Sequence, residues 1–234
     1  MKEIIVGNFN LYELLFYYVI YSFLGFCTEV IHSTLKTGKF VNRGFLNGPV
    51  CPIYGFGMVV VLLTLSKFFN DLFLLFFYSM LLTTFIEFLA GFALERIYKR
   101  KWWDYSNEPF NLMGYVCLRY AILWGLACVG IIKVVHPTIY KITNNINTNL
   151  GYFLLSFFAV IMIADFVITI IQIKYNNKKF QELKVISDEL KKSSELIGEK
   201  LTSLTLAFDG VSKKIENSRI VKAFPRLKKD NKNK

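Results

Sequence analysis

The sequence predicts an all-α integral membrane protein, with about five transmembrane helices followed by a C-terminal cytoplasmic amphipathic or coiled-coil helix. Three observations carry that reading. Of 234 residues, 54% are hydrophobic and only 19% charged. The apolar residues fall into runs of bilayer-crossing length, which needs roughly 20 residues per helix. Most of the charges lie in the gaps between runs and in the last quarter of the chain. The division that follows is a transmembrane domain over 1–174, a heptad helix over 175–217 and a basic disordered tail over 218–234.

The first span is expected over 11–31, opening with LYELLFYYVIYSFLGF and carrying Glu29 near its end. No A-x-A-like cleavage site follows it, so it reads as a retained span, not a signal peptide. A second, short run, over 51–66, begins with PVCPIYGFG; Pro49 and Pro52 suit a helix start, where a missing N–H costs nothing. Gly48, Gly55 and Gly57 permit either a partly unwound start or a close helix contact. The short KFFND turn makes this run a hairpin with the third span, over 72–94, which contains Glu87 and ends at Glu95. The fourth, over 115–135, contains Arg119, and Ala121 and Gly125 give it a small-xxx-small packing face. The fifth, over 150–173, contains Asp165.

Lys and Arg set the orientation. They are dense after spans one and three and in the tail, and sparse in the KFFND turn and in HPTIYKITNNINTN. The positive-inside rule then places the N-terminus outside and the C-terminus in the cytoplasm of a multi-pass cell-membrane protein. The net charge of +11 fits anionic headgroups on the cytoplasmic side, and no nucleic-acid motif accompanies it.

From Phe180 onward, apolar residues recur at steps of three and four: Leu183, Leu190, Ile197, Leu201, Leu204, Phe208, Val211 and Ile215. Ser187 and Ser194 stand where the same register wants an apolar side chain. A narrow, periodic stripe favours a self-associating coiled coil, hence a homo-oligomer; a helix lying on the membrane is the other reading.

Once oriented, Glu29, Glu87, Glu95, Arg119 and Asp165 all fall toward the cytoplasmic leaflet. An unpaired charge there costs several kcal/mol, so pairing of Arg119 with Glu29 or Glu87 is expected. Two uses are open: a functional polar network facing the cytoplasm, or a salt bridge that only fixes helix packing. Beside it lie two polar, aromatic segments. One contributes Asn42, Arg43, Asn47 and Cys51, the other Trp102, Trp103, Asp104, Tyr105, Asn107 and Asn111. The aromatic residues can be interfacial anchors; the density of amides and charges suggests a vestibule or a headgroup contact.

No enzyme is expected. Cys51 has no histidine on a matched motif to activate it and reads as a packed thiol. No phosphate-binding loop, HExxH, GxSxG or EF-hand loop is present. The cysteines Cys27, Cys51, Cys117 and Cys128 show no CxxC spacing, and His32 and His136 should lie on opposite sides of the membrane, so neither cofactor nor metal is expected.

The two segments FVNRGFLNGPVCPIYGFG and WWDYSNEPFNLMGYVCLRY, the latter continuing to WG, resemble a bacterial membrane family of ABC-transporter type IV permeases. The resemblance covers roughly the first 135 to 175 residues. It implies a permease subunit with a separate ABC ATPase as partner, although no EAA-like coupling loop is present. The function expected is a permease-like subunit with a polar cavity in the cytoplasmic leaflet; the alternative is a membrane scaffold or sensor that oligomerises through its C-terminal helix.

Overall fold

The computed structural model describes residues 4–40, 42, 44–98, 101–174 and 181–216, with side chains described outside 173–187 and 210–216. Arg43 and the 218–234 tail lie outside the described residues. The described chain is mostly helical, with two short hairpins added: β1 (Ile5–Val6) with β2 (Phe9–Asn10), and β3 (Asn111–Leu112) with β4 (Val116–Cys117). The helices are α1 (Leu11–Thr37), α2 (Pro52–Leu65), α3 (Leu72–Tyr98), α4 (Leu118–Gly130), α5 (His136–Asn145), α6 (Thr148–Lys174) and α7 (Gln181–Glu216).

Four helical stretches are long and apolar enough to cross a bilayer: Leu11–Thr37, Leu72–Tyr98, Leu118–Asn145 and Thr148–Gln172. Their ends are chemically defined. At the start of α1, Asn10 Oδ1 accepts the Glu13 N–H at 2.9 Å and Glu13 Oε2 accepts the Asn10 N–H at 3.1 Å, a reciprocal capping box. Asp71, in the KFFND turn, accepts the Leu74 N–H and starts α3.

The second expected span is shorter than a crossing. Helix α2 has 14 residues, about 21 Å at 1.5 Å per residue. Its start is tied to the middle of α1, since the Cys51 N–H donates to the Ser22 carbonyl at 2.8 Å. Its far end lies near the start of α1, where Asn8 donates to Ser66 at 3.0 Å. Extended backbone at Cys51 is tolerated at that depth because it is covered by protein and hydrogen-bonded. Gly55 makes the approach possible: a Cβ there would run into Ser22 and the Tyr18 carbonyl.

The fourth span is longer than expected. The expected span ends at Val135, yet the helix runs on past Pro137 to Asn145. The missing Pro137 N–H is absorbed by a π-helical stretch, Ile131–Val135, between α4 and α5. The HPTIYKITNN stretch expected as loop is therefore helix.

The chain falls into two units. The first comprises Met1–Gly25 and Val50–Lys179. Its core joins Leu14, Tyr17 and Tyr21 of α1 with Val61, Leu62 and Leu65 of α2, Leu75 of α3, and Cys128 and Ile139 from the fourth span. Gly125 on α4 faces Phe76 and Met80 of α3 so closely that a Cβ would meet the Phe76 ring at 2.8 Å. The small-residue face read from Ala121 and Gly125 is thus the α3–α4 packing surface. The second unit comprises Phe26–Pro49 and Phe180–Lys234.

Candidate functional site

Helix α3 has 27 residues, about 40 Å of helix against a hydrocarbon core of about 30 Å. The chain then folds back. The Tyr105 hydroxyl donates to Glu87 Oε1 at 3.1 Å, although Glu87 precedes the end of α3 by three turns. From α4, the Trp124 indole N–H donates to Glu87 Oε2 at 3.1 Å. Both oxygens of a carboxylate within the span are therefore satisfied by aromatic donors, each a charge-assisted bond worth about 1.5–3 kcal/mol. Tyr54 of α2 packs edge-on to Trp124 at 5.5 Å, and Tyr105 stacks on Tyr120 at 4.6 Å. The result is an aromatic box around one acidic group.

What holds Tyr105 there is the β3–β4 hairpin. The Tyr105 N–H donates to the Gly114 carbonyl at 2.8 Å. Asn111 donates to the Ser106 and Glu108 carbonyls and accepts the Gly114 N–H, three bonds from one amide side chain. Asp104 Oδ1 accepts from both the hydroxyl and the N–H of Ser106 and lies 3.7 Å from the Lys101 ammonium. The Ser106 hydroxyl, then its N–H, hold the Asp104 carboxyl below the usual carboxylate range, with a smaller contribution from Lys101. Gly114 sits at φ +74, and a Cβ there would collide with Asp104 and Ser106. Phe110 and Met113 also take positive φ, at 54° and 55°, which costs about 1–2 kcal/mol each for such side chains. Trp103 donates to the Tyr115 carbonyl at 2.8 Å, and both rings lie over Gly91, where α3 has no side chain.

The expected intramembrane residues take separate places. Arg119 pairs with Glu108 at 3.4 Å, not with Glu29 or Glu87, because Glu87 is already satisfied and the Arg119 side chain is 65% exposed. Asp165 is buried on α6 and accepts from Thr169 at 3.3 Å. Glu95 lies at the end of α3 beside Arg96 and Tyr115. Trp102 stacks at a tilt on Tyr98, and Cys51 is a buried helix-start residue. Among the described residues, no group of three or more His, Cys, Asp or Glu could hold a metal ion.

Glu29, Asn42 and Asn47 belong to the second unit. There Asn42 donates to the Asn47 carbonyl at 3.2 Å and to Ser194 of α7 at 3.0 Å, and accepts the Gly44 N–H at 2.9 Å. Thr34 and Thr202 hydrogen-bond at 2.9 Å, and Gly198 lies under the Phe40 ring. Ser194, a flaw in an apolar seam, is a buried hydrogen-bonding partner. Leu204 and Phe208, expected in the seam, are 60% and 79% exposed.

The sequence signature described as "Putative ABC-transporter type IV" matches residues 16–170, well over half of the chain. The chain belongs to this family. No curated protein and no solved structure matches the chain. The family match takes in Glu87, the hairpin and Trp124, whereas α7 lies beyond it. Trp124 enters the sequence reading only as the WG that closes the second signature segment, although an indole N–H in an apolar span needs an acceptor and so points to a nearby polar group.

Proposed function

We propose that the chain is a permease-like membrane subunit of an ABC-type system, working with a separate ATPase. Membership of the ABC-transporter type IV family supports the assignment. The polar centre of this subunit is Glu87 with Tyr105 and Trp124, and the 101–117 segment is its cytoplasmic mouth. The carrying observation is that a hairpin outside the apolar run reaches back to an acidic group inside it. Movement of the hairpin would therefore be felt at Glu87, the coupling a permease needs between its cytoplasmic face and its path. We read the chain as non-catalytic, with its N-terminus outside and its C-terminus in the cytoplasm by the distribution of Lys and Arg.

A scaffold or sensor is the second reading, favoured by exposed Leu204 and Phe208 on α7, which offer a surface to a second copy. Crosslinking in native membranes, followed by purification through the C-terminal tail, separates the two. A stoichiometric ATP-binding-cassette ATPase supports the permease. Self-association with no ATPase supports the scaffold and removes the permease reading.

A further inference from the structure

Where α3 leaves its apolar run, Phe92, Glu95 and Arg96 face Tyr115 of the hairpin across a cavity of about 310 Å³. Glu95 Oε2 is buried there without a hydrogen-bond partner among the described residues, although the Tyr115 hydroxyl lies against the same carboxyl group. A buried carboxylate oxygen is satisfied only by a donor, and a cationic N–H is the strongest available. Cations stand at the rim. The Arg96 guanidinium lies 5.4 Å from the Phe92 ring centre and makes no ion pair among the described residues. The Lys101 ammonium, 5.2 Å from the Tyr115 ring centre, adds positive charge nearby but is already held by Asp104 and the Met113 carbonyl. The cavity thus offers an anionic acceptor inside and positive charge at its edge, a pattern matching a zwitterion whose ammonium and phosphate are a few atoms apart.

The surroundings indicate that such a ligand is carried on a lipid. Phe85, Leu89 and Phe92 fall at steps of four and three on α3, one side of the helix, and are 59%, 47% and 40% exposed. They form an apolar track leading away from Glu95 down the span, as an acyl chain would run. Glu95 and Arg96 end the apolar sequence, which is headgroup depth.

We propose that Glu95, Arg96 and Tyr115 form a headgroup site for an aminophospholipid, with its primary ammonium on Glu95 and its phosphate toward Arg96. A choline headgroup fits poorly, since a trimethylammonium cannot donate a hydrogen bond to Glu95. The site does not depend on the permease reading.

The test is native mass spectrometry of the full chain released from bilayers holding equal amounts of phosphatidylethanolamine, phosphatidylcholine and phosphatidylglycerol. The wild type should retain the ethanolamine lipid about tenfold over the choline lipid, and Glu95→Gln should abolish that preference. Equal retention of the two by the wild type overturns the proposal without any variant. An unchanged preference in Glu95→Gln overturns it as well. Displacement of the bound lipid by millimolar soluble phosphoethanolamine would overturn the lipid-borne source, because the acyl track would then contribute nothing.

Discussion

The segments 38–49 and 101–117 are alike in composition, and the structure builds them in opposite ways. The second is held by its own residues: Asn111, Asp104 and Gly114 bond within the hairpin, and its outside contacts are to the helices that flank it. The first has local bonds as well, Asn42 to Asn47 and Gly44, but is also anchored by a helix far along the chain, Asn42 bonding to Ser194 across 152 positions. Local segments carry their own instructions. Non-local ones borrow them, and the lender's sequence then looks irregular.

The largest test of that contrast is Ser194→Leu. In a self-associating heptad coil the change would improve the seam. Against Asn42 it overpacks a buried site and strands an amide, and should cost about 3 kcal/mol. Trypsin should then cut sooner at Lys39, with cleavage at Lys101 unchanged. A more stable protein with Lys39 still protected would make the seam intermolecular after all.

Gly114→Ala is the converse. A Cβ at positive φ that also meets Asp104 and Ser106 should cost about 2 kcal/mol, opening the hairpin at Lys101 and leaving Lys39 protected. Equal protection of both sites would show that the hairpin is not self-built.

A smaller effect is expected for Glu87→Gln, which weakens the bonds from Tyr105 and Trp124 by about 1.5 kcal/mol in all. Tryptophan emission should shift to the red as the Trp124 indole loosens. No shift, with unchanged melting, would mean that the box holds without its charge.

The smallest effect concerns pH. The folded pKa of Asp104 is lowered, so its stabilising contribution is full above the unfolded value of about 3.9 and is lost as pH falls through the folded value. Hairpin protection should be flat from pH 5 to 8 and weaken only below about pH 4, and Asp104→Asn should remove that acid step. A transition near neutral pH would contradict the assignment.

The same contrast explains what the sequence made legible. Long apolar runs announce α1, α3, the fourth span and α6, because a helix in lipid satisfies its backbone alone. The KFFND turn and the small face at Ala121 and Gly125 are readable for the same local reason. The extension past Pro137 was not, since a π-helical stretch can absorb the missing N–H without any marker in composition. Arg119 pairs with Glu108 and not with the expected Glu29 or Glu87, because its acid lies in the loop and not in a span. The shortness of α2 is legible in an apolar run confined to 51–66, whereas the bond that ties its start to Ser22 is not revealed by any pattern within that run.

The central claim is that the hairpin and Glu87 act as one unit in coupling. Tyr105→Phe tests it most directly, for it keeps the stacking on Tyr120 and removes only the hydroxyl that reaches Glu87. Reconstituted in proteoliposomes with the ATPase that the proposed permease role requires, the variant should melt within a few degrees of wild type and lose at least tenfold of any ATPase stimulation that the wild-type subunit gives. Unchanged stimulation in a folded variant would contradict the claim and leave the Tyr105–Glu87 bond a matter of packing alone.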